Sequence, residues 1–230
     1  MNGTMIEFER PDGQKAPGYY SAPAGGERLP GIVMIEEWWG VTDWIKETAD
    51  QLAAAGFRVL IPDLFRGRTA AVGDEANHLV EGLNFGDATS QDATGAARYL
   101  TSTGSAKVGV VGYCIGGALS MLCAMDVPAF TAAVTFYGLP PAEAGDPGMI
   151  TMPIQGHWAT KDAFFTLASV DAFEARLKAG GVQYEFYKYE ADHGFCNTGE
   201  VGNAGLGHFD AVSAQLAWAR MTTFLKKTLA

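Results

Sequence analysis

KVGVVGYCIGGALSMLCAM, residues 107–125, passes from a short apolar strand pattern through a glycine-rich turn into an apolar helix pattern. Cys114 stands at the turn, between Gly112 and Gly116. The segment has the strand–G-x-nucleophile-x-G–helix form of a nucleophile elbow, with cysteine in the nucleophile position. The glycines have a steric reason: side chains two residues either side of a sharply turned residue would crowd strand and helix. Such a turn lifts the sulfur clear of a sheet. It also places the Ile115 N–H at a helix N-terminus, where a developing oxyanion is stabilised and a thiol is acidified. Four roles suit a cysteine here: nucleophile, metal ligand, redox thiol or small core residue. The absence of C-x-x-C and H-x-x-x-H spacing argues against metal. The glycines are not in G-x-G-x-x-G order and do not follow the first strand, which argues against a dinucleotide site.

The neighbouring sequence repeats the same alternation. TMIEFER and APGYYSA predict an antiparallel edge pair, and GIVMIEE, FRVLIPD, FTAAVTFYG, MPIQGHW and VQYEFYKYE predict further strands. DWIKETADQLAAAG is an amphipathic helix with Asp43 as its expected N-cap and Gly56 as its stop. Further helices are expected over about 74–83, 88–103, in SVDAFEARLKAGG, and from about residue 210 to the end. Strands alternating with helices predict an α/β fold, a mostly parallel sheet covered on both faces, with all 230 residues in one domain. Sites in such folds gather beyond the C-terminal strand ends, where Glu37, Cys114, Asp162 and His193 are expected.

A thiol nucleophile needs a base, and the base an orienting acid. Of the four histidines, His193 follows the last strand pattern; His78 lies in a helix, His208 precedes one, and His157 can line the site without being the base. Asp162 follows the preceding strand, in a position that also suits a turn aspartate. Asp192 adjoins His193 and is the weaker orienter by geometry. The order Cys114, Asp162, His193 is that of an α/β-hydrolase triad. The loop EEWWGVTDW offers the Trp38 N–H as a second oxyanion donor. Glu36 and Glu37 beside paired tryptophans mark a site wall. Trp38, Trp39, Trp44, Tyr137 and Phe195 are candidate apolar walls. Cys196 is read as a small wall residue; its alternative is a redox pairing with Cys114.

Together these residues resemble the dienelactone hydrolase, or carboxymethylenebutenolidase, family over nearly the whole chain. GYCIGG and EEWWG are the most specific pieces, supported by KDAFF and YEADHGFCNTG. The resemblance implies an α/β-hydrolase fold and a Cys114–Asp162–His193 triad that hydrolyses an ester or lactone through a thioester. Glu37 is implied to hold the thiol at rest and to take its proton once substrate binds. In the family an arginine four residues after the histidine grips a substrate carboxylate; here that position is Asn197. Arg66, Arg68 and Lys161 are the candidate substitutes. A neutral amide lacks the bidentate grip of arginine. Broader carboxylesterase activity, and a non-catalytic or redox-thiol protein, are the alternative functions.

Composition narrows the partners. With 16 Lys+Arg against 26 Asp+Glu, the net charge of -10 disfavours nucleic acid and anionic membranes. No apolar run reaches the roughly 18 residues of a membrane span, and the N-terminal residues lack a signal-peptide pattern. Three cysteines form no disulfide framework and fit a reducing compartment. The expectation is a cytoplasmic monomer acting on a small ester or lactone, without cofactor or metal.

Overall fold

The structure is a computed structural model that describes residues 3–199 and 207–230. Eight strands join one sheet in the order β1-β2-β4-β3-β5-β6-β7-β8. The central strands β3 (Gly31–Ile35), β4 (Arg58–Pro62), β5 (Val108–Tyr113) and β6 (Ala132–Phe136) are buried along their whole length. Their near-continuous apolar runs therefore become parallel strands covered on both faces. β7 (Ile154–Ala159) and β8 (Tyr184–Tyr189) extend the parallel sheet. β1 (Thr4–Glu9) and β2 (Lys15–Ser21) form the expected antiparallel hairpin, and β2 runs antiparallel to β4.

Helix α1 (Asp43–Ala54) and the final helix α7 (Ala211–Leu229) cover one face. Trp44, Ile45 and Leu52 meet Met221 and Leu225 there, over Ile32 and Val134. Helices α4 (Thr94–Ser102), α5 (Ile115–Asp126) and α6 (Leu167–Ala179) build the other core with Leu100, Leu119, Val170 and Leu177. Each such fully buried aliphatic side chain contributes about 1.5–3 kcal/mol. Buried positions run from Gly116 through Ala124, so α5 is enclosed almost all round. Cys123 belongs to this core, and burial pushes its thiol far up.

Two helix boundaries differ from expectation. Thr42, not Asp43, is the N-cap of α1; Asp43 lies in the first turn, where its charge suits the helix dipole, and pairs with Lys46 at 3.4 Å. Gly56 does end this helix, with φ +101°. Helix α2 spans Gly73–Glu81. The helix expected from residue 88 starts earlier, as α3 (Phe85–Asp87), and runs through a π-helical stretch, Ala88–Ala93, into α4. Thr94 Oγ1 donates to the Thr89 carbonyl within this widened turn (2.8 Å). The stretch carries the buried Asp92, which receives Arg66 and Arg10.

Strand order reverses between β3 and β5. These neighbours are paired in register, Ile35 opposite Gly112. The residues two beyond each, Glu37 and Cys114, thus leave the sheet side by side at a switch point, where open α/β sheets form their sites.

Candidate active site

One residue links β5 to α5. Cys114 sits there at φ +56°, ψ −118°, a conformation that costs about 1–3 kcal/mol for a side chain with a Cβ. Its N–H donates to the Phe136 carbonyl (3.0 Å) and its carbonyl accepts from Ala118 N–H (3.1 Å), which holds the turn. Both flanking glycines are required by contact. A Cβ on Gly112 would lie 1.8 Å from the Gly116 carbonyl oxygen, and one on Gly116 would lie 2.4 Å from that of Ile35. The Ile115 N–H, first of α5, has no acceptor among the described residues; neither has that of Trp38, in the turn closed by Gly40 N–H on the Glu37 carbonyl.

The candidate base and acid meet this sulfur in a line. His193 Nε2 lies 3.2 Å from Cys114 Sγ, and His193 Nδ1 lies 2.8 Å from Asp162 Oδ2. Asp162 fulfils both of its sequence readings. Its Oδ1 accepts the Phe164 and Phe165 N–H groups at 2.8 and 3.0 Å, a turn that fixes the carboxylate while Oδ2 faces the imidazole. Burial pulls the His193 pKa down, but the Asp162 bond and the Cys114 contact outweigh it and raise the pKa to about 10. Asp192 is half-buried and takes no part in this line.

Glu37 is buried beside the line. Its Oε2 accepts from Asn197 Nδ2 at 2.5 Å and its Oε1 from the Tyr137 hydroxyl at 3.3 Å. Burial lifts its pKa to about 7, against the lowering effects of His193, Asn197 and Tyr137. The thiol is engaged by His193 rather than by Glu37, so the resting Glu37–thiol pairing implied by the resemblance is not the arrangement present. Glu36 points the other way: its Oε1 accepts from Leu64 N–H (2.8 Å), its Oε2 has no partner among the described residues, and burial raises its pKa to about 8.

A cavity of about 140 Å³ opens over the sulfur. It is lined by Glu37, Cys114, His193 and Asn197 together with Trp38, Trp39, Ile115, Phe164 and Phe165, whose side chains are apolar or largely so. A dry cavity of about 150 Å³ accommodates benzene, so this one has room for a ring-sized group.

Several expected wall residues stand elsewhere. Tyr137 is wholly buried behind Glu37, and Phe195 packs on Tyr137 and Tyr189 (5.3 and 5.1 Å between rings), so neither lines the cavity. Trp44 lines a separate groove with Cys196 and Trp218. Arg66 is held by Asp92 (2.8 and 2.9 Å) and the Asp63 carbonyl, and the exposed Arg68 bonds the Phe65 carbonyl; neither reaches the cavity. Lys161 lies 3.6 Å from the exposed Glu190 and borders an adjoining surface depression, which shares Phe164 and His193 with the cavity. His157 does not line the site: it is buried, bonded to Tyr189 and Gln155 at 2.8 and 2.9 Å, and burial lowers its pKa to about 3. The reading missed Phe164 and Phe165, whose rings lie 5.1 and 5.8 Å from that of His193. Their signal was their place two and three residues after Asp162, in KDAFF.

Among the described residues no helix is long and apolar enough to cross a membrane, and no group of three or more His, Cys, Asp or Glu side chains is placed to hold a metal.

The dienelactone hydrolase family matches residues 16–229. The protein usf of Aquifex pyrophilus is 33% identical over 99% of both chains. Among solved structures, a dienelactone hydrolase-like promiscuous phosphotriesterase from metagenomic libraries superposes with a TM-score of 0.86, at 24% identity over 100% of both chains. A thermophilic esterase from Thermogutta terrifontis does so with a TM-score of 0.71, at 18% identity over 98% of this chain and 92% of its own. At those identities the two structures attest the shared fold, whereas the match over residues 16–229 carries the family: this chain belongs to the dienelactone hydrolase family, hydrolases of esters and lactones.

Proposed function

We propose that the protein hydrolyses its ester or lactone by covalent catalysis at Cys114. The observation that carries this is the Asp162–His193–Cys114 line, at 2.8 and 3.2 Å, ending at a strained elbow beneath an apolar cavity. His193 takes the thiol proton; burial works against the charged ring, but the Asp162 bond holds the imidazole in place to accept it. The thiolate adds to the acyl carbonyl. The Ile115 and Trp38 N–H groups, both without acceptors among the described residues, stabilise the resulting oxyanion. Each such donor typically accelerates the step by about 10²–10³. The tetrahedral adduct collapses: the carbon–oxygen bond to the alcohol breaks, His193 protonates the departing oxygen, and a thioester remains. His193 then deprotonates water, which attacks the thioester and releases the acid and the thiolate. Asp162 keeps the imidazole in the tautomer these transfers need. Glu37, facing the same cavity with its pKa near 7, serves as a second acceptor for the thiol proton when substrate is bound.

The test is Cys114→Ala and Cys114→Ser with 4-nitrophenyl acetate, paired with mass spectrometry of the parent enzyme during turnover. The alanine variant loses at least about 10³-fold in kcat/KM, and the parent shows an acetyl adduct on the Cys114 peptide. Parent-like hydrolysis by Cys114→Ala sinks the proposal. The redox alternative pairs Cys114 with Cys196, but the two line different cavities, and Cys196 forms part of the groove wall beside Trp44. We place the enzyme in the cytoplasm as a monomer. Its unpaired Cys114, Cys123 and Cys196 support a reducing compartment.

A further inference from the structure

We propose that this enzyme selects uncharged esters and lactones, and that Asn197 sets the selectivity by donating to Glu37 instead of offering a counter-charge to substrate. The inference rests on Cys114 being the nucleophile. It starts from the cavity wall, which contains no lysine or arginine among the described residues. Residues 200–206, EVGNAGL, contain none in sequence either. The arginines nearest in sequence are committed elsewhere, Arg66 to the buried Asp92 and Arg68 to a backbone carbonyl. Lys161, exposed beside Glu190, borders the adjoining depression on the other side of Phe164 and His193 and does not line the cavity. The positive charge that His193 gains is balanced by Asp162 and by the sulfur it deprotonates.

Asn197 is buried and its amide is oriented. Its Oδ1 accepts Gly199 N–H at 2.7 Å, which turns the NH₂ group toward Glu37. The same residue thus removes a cation from the wall and secures an acid there. A substrate carboxylate entering the cavity leaves water, finds no bidentate partner and meets Glu37 as a like charge. The net charge of -10 opposes its approach from solution as well. A neutral ring or acyl chain instead buries against Trp38, Trp39, Phe164 and Phe165 at no electrostatic cost.

The experiment compares 4-acetoxy-3-nitrobenzoate with its methyl ester. The acetyl group and nitrophenol framework are shared; the leaving groups differ in charge and in acidity, and release of the nitrophenolate is followed so that only acetyl transfer is read. Each kcat/KM is divided by the hydroxide-catalysed rate of the same compound. The expected ratio is at least about tenfold in favour of the methyl ester at low ionic strength, shrinking in high salt as the screening length shortens. A Cys114-dependent ratio within about twofold of unity, or one favouring the carboxylate, overturns the inference. Asn197→Arg and Glu37→Gln each narrow the ratio whatever they do to absolute rate; an unchanged ratio in both removes Asn197 from the explanation. If Asn197→Arg does not fold, the parent ratio and Glu37→Gln still decide. Cys114→Ala separates the two proposals: hydrolysis that survives in it refutes the nucleophile assignment, whereas selectivity is judged only on the hydrolysis that it abolishes.

Discussion

Asn197→Ala tests how the charge of Glu37 is set. Glu37 is buried, which lifts its pKa to about 7, and the Asn197 amide at 2.5 Å is one of the groups restraining that rise. A hydrogen bond to a charged group contributes about 1.5–3 kcal/mol, and one pKa unit corresponds to about 1.4 kcal/mol. Removing the donor therefore raises the Glu37 pKa by about one to two units. The sign follows from the acceptor: the bond favours the carboxylate, so its loss favours the neutral acid. With Glu37 as an acceptor of the thiol proton, the acid limb of kcat/KM moves upward by the same one to two units, roughly, while the plateau above it is kept. The assay is kcat/KM for a neutral ester across that limb, with circular dichroism to confirm the fold. A limb that stays in place in a folded Asn197→Ala variant refutes the argument, because lost packing lowers a rate without moving a titration. Asn197→Asp, which replaces the donor with a second carboxyl group, shifts the limb at least as far.

Three further outcomes follow from the same geometry. Asp162→Asn keeps an oxygen for the Phe164 and Phe165 N–H groups but loses the carboxylate on His193 Nδ1, so it folds like the parent and loses about 10³–10⁴ in kcat; a loss under tenfold rejects Asp162 as the orienter. Gly112→Ala sets a methyl group 1.8 Å from the Gly116 carbonyl oxygen and destabilises the fold by more than about 3 kcal/mol in urea unfolding, and a variant as stable as the parent rejects the steric account of the elbow. Glu36→Gln changes the pH dependence of stability. The Glu36 carboxyl titrates near 4.5 when unperturbed and at about 8 in the fold, so the native state holds this proton more tightly. Its stabilising contribution is complete below pH 4.5 and is lost as pH rises toward about 8, by about 1.4 kcal/mol per pH unit. The variant gains on the parent by that slope in urea melts; a difference independent of pH contradicts the buried-carboxyl account.

What sequence reasoning could reach was set by the range of the interactions involved. The parallel core was legible because runs such as GIVMI and AAVTF have no polar face to expose, and the elbow because its contacts fall within a few residues of Cys114. The line from Asp162 through His193 was approachable by chain order, since the loops after β7 and β8 leave the same sheet edge. The π-helical stretch, Ala88–Ala93, was not legible: one widened turn alters no hydrophobic period, yet it carries the aspartate that claims Arg66 from across 26 residues of chain. Tyr137 and Phe195 were read as walls because aromatic character does not reveal which side of a residue faces the core. Asn197 divides the two regimes within a single side chain. Its Oδ1 bond to Gly199 N–H is local and is implicit in N-T-G as an Asx turn. Once that oxygen is turned onto the backbone, the amide nitrogen must face away from it. That it then meets Glu37, 160 residues earlier, depends on the loop after β8 reaching back across the sheet to the end of β3. A substitution at Asn197 therefore acts on an acid at the far end of the sheet's connectivity, and the charge the site tolerates is a property of that pairing rather than of either residue alone.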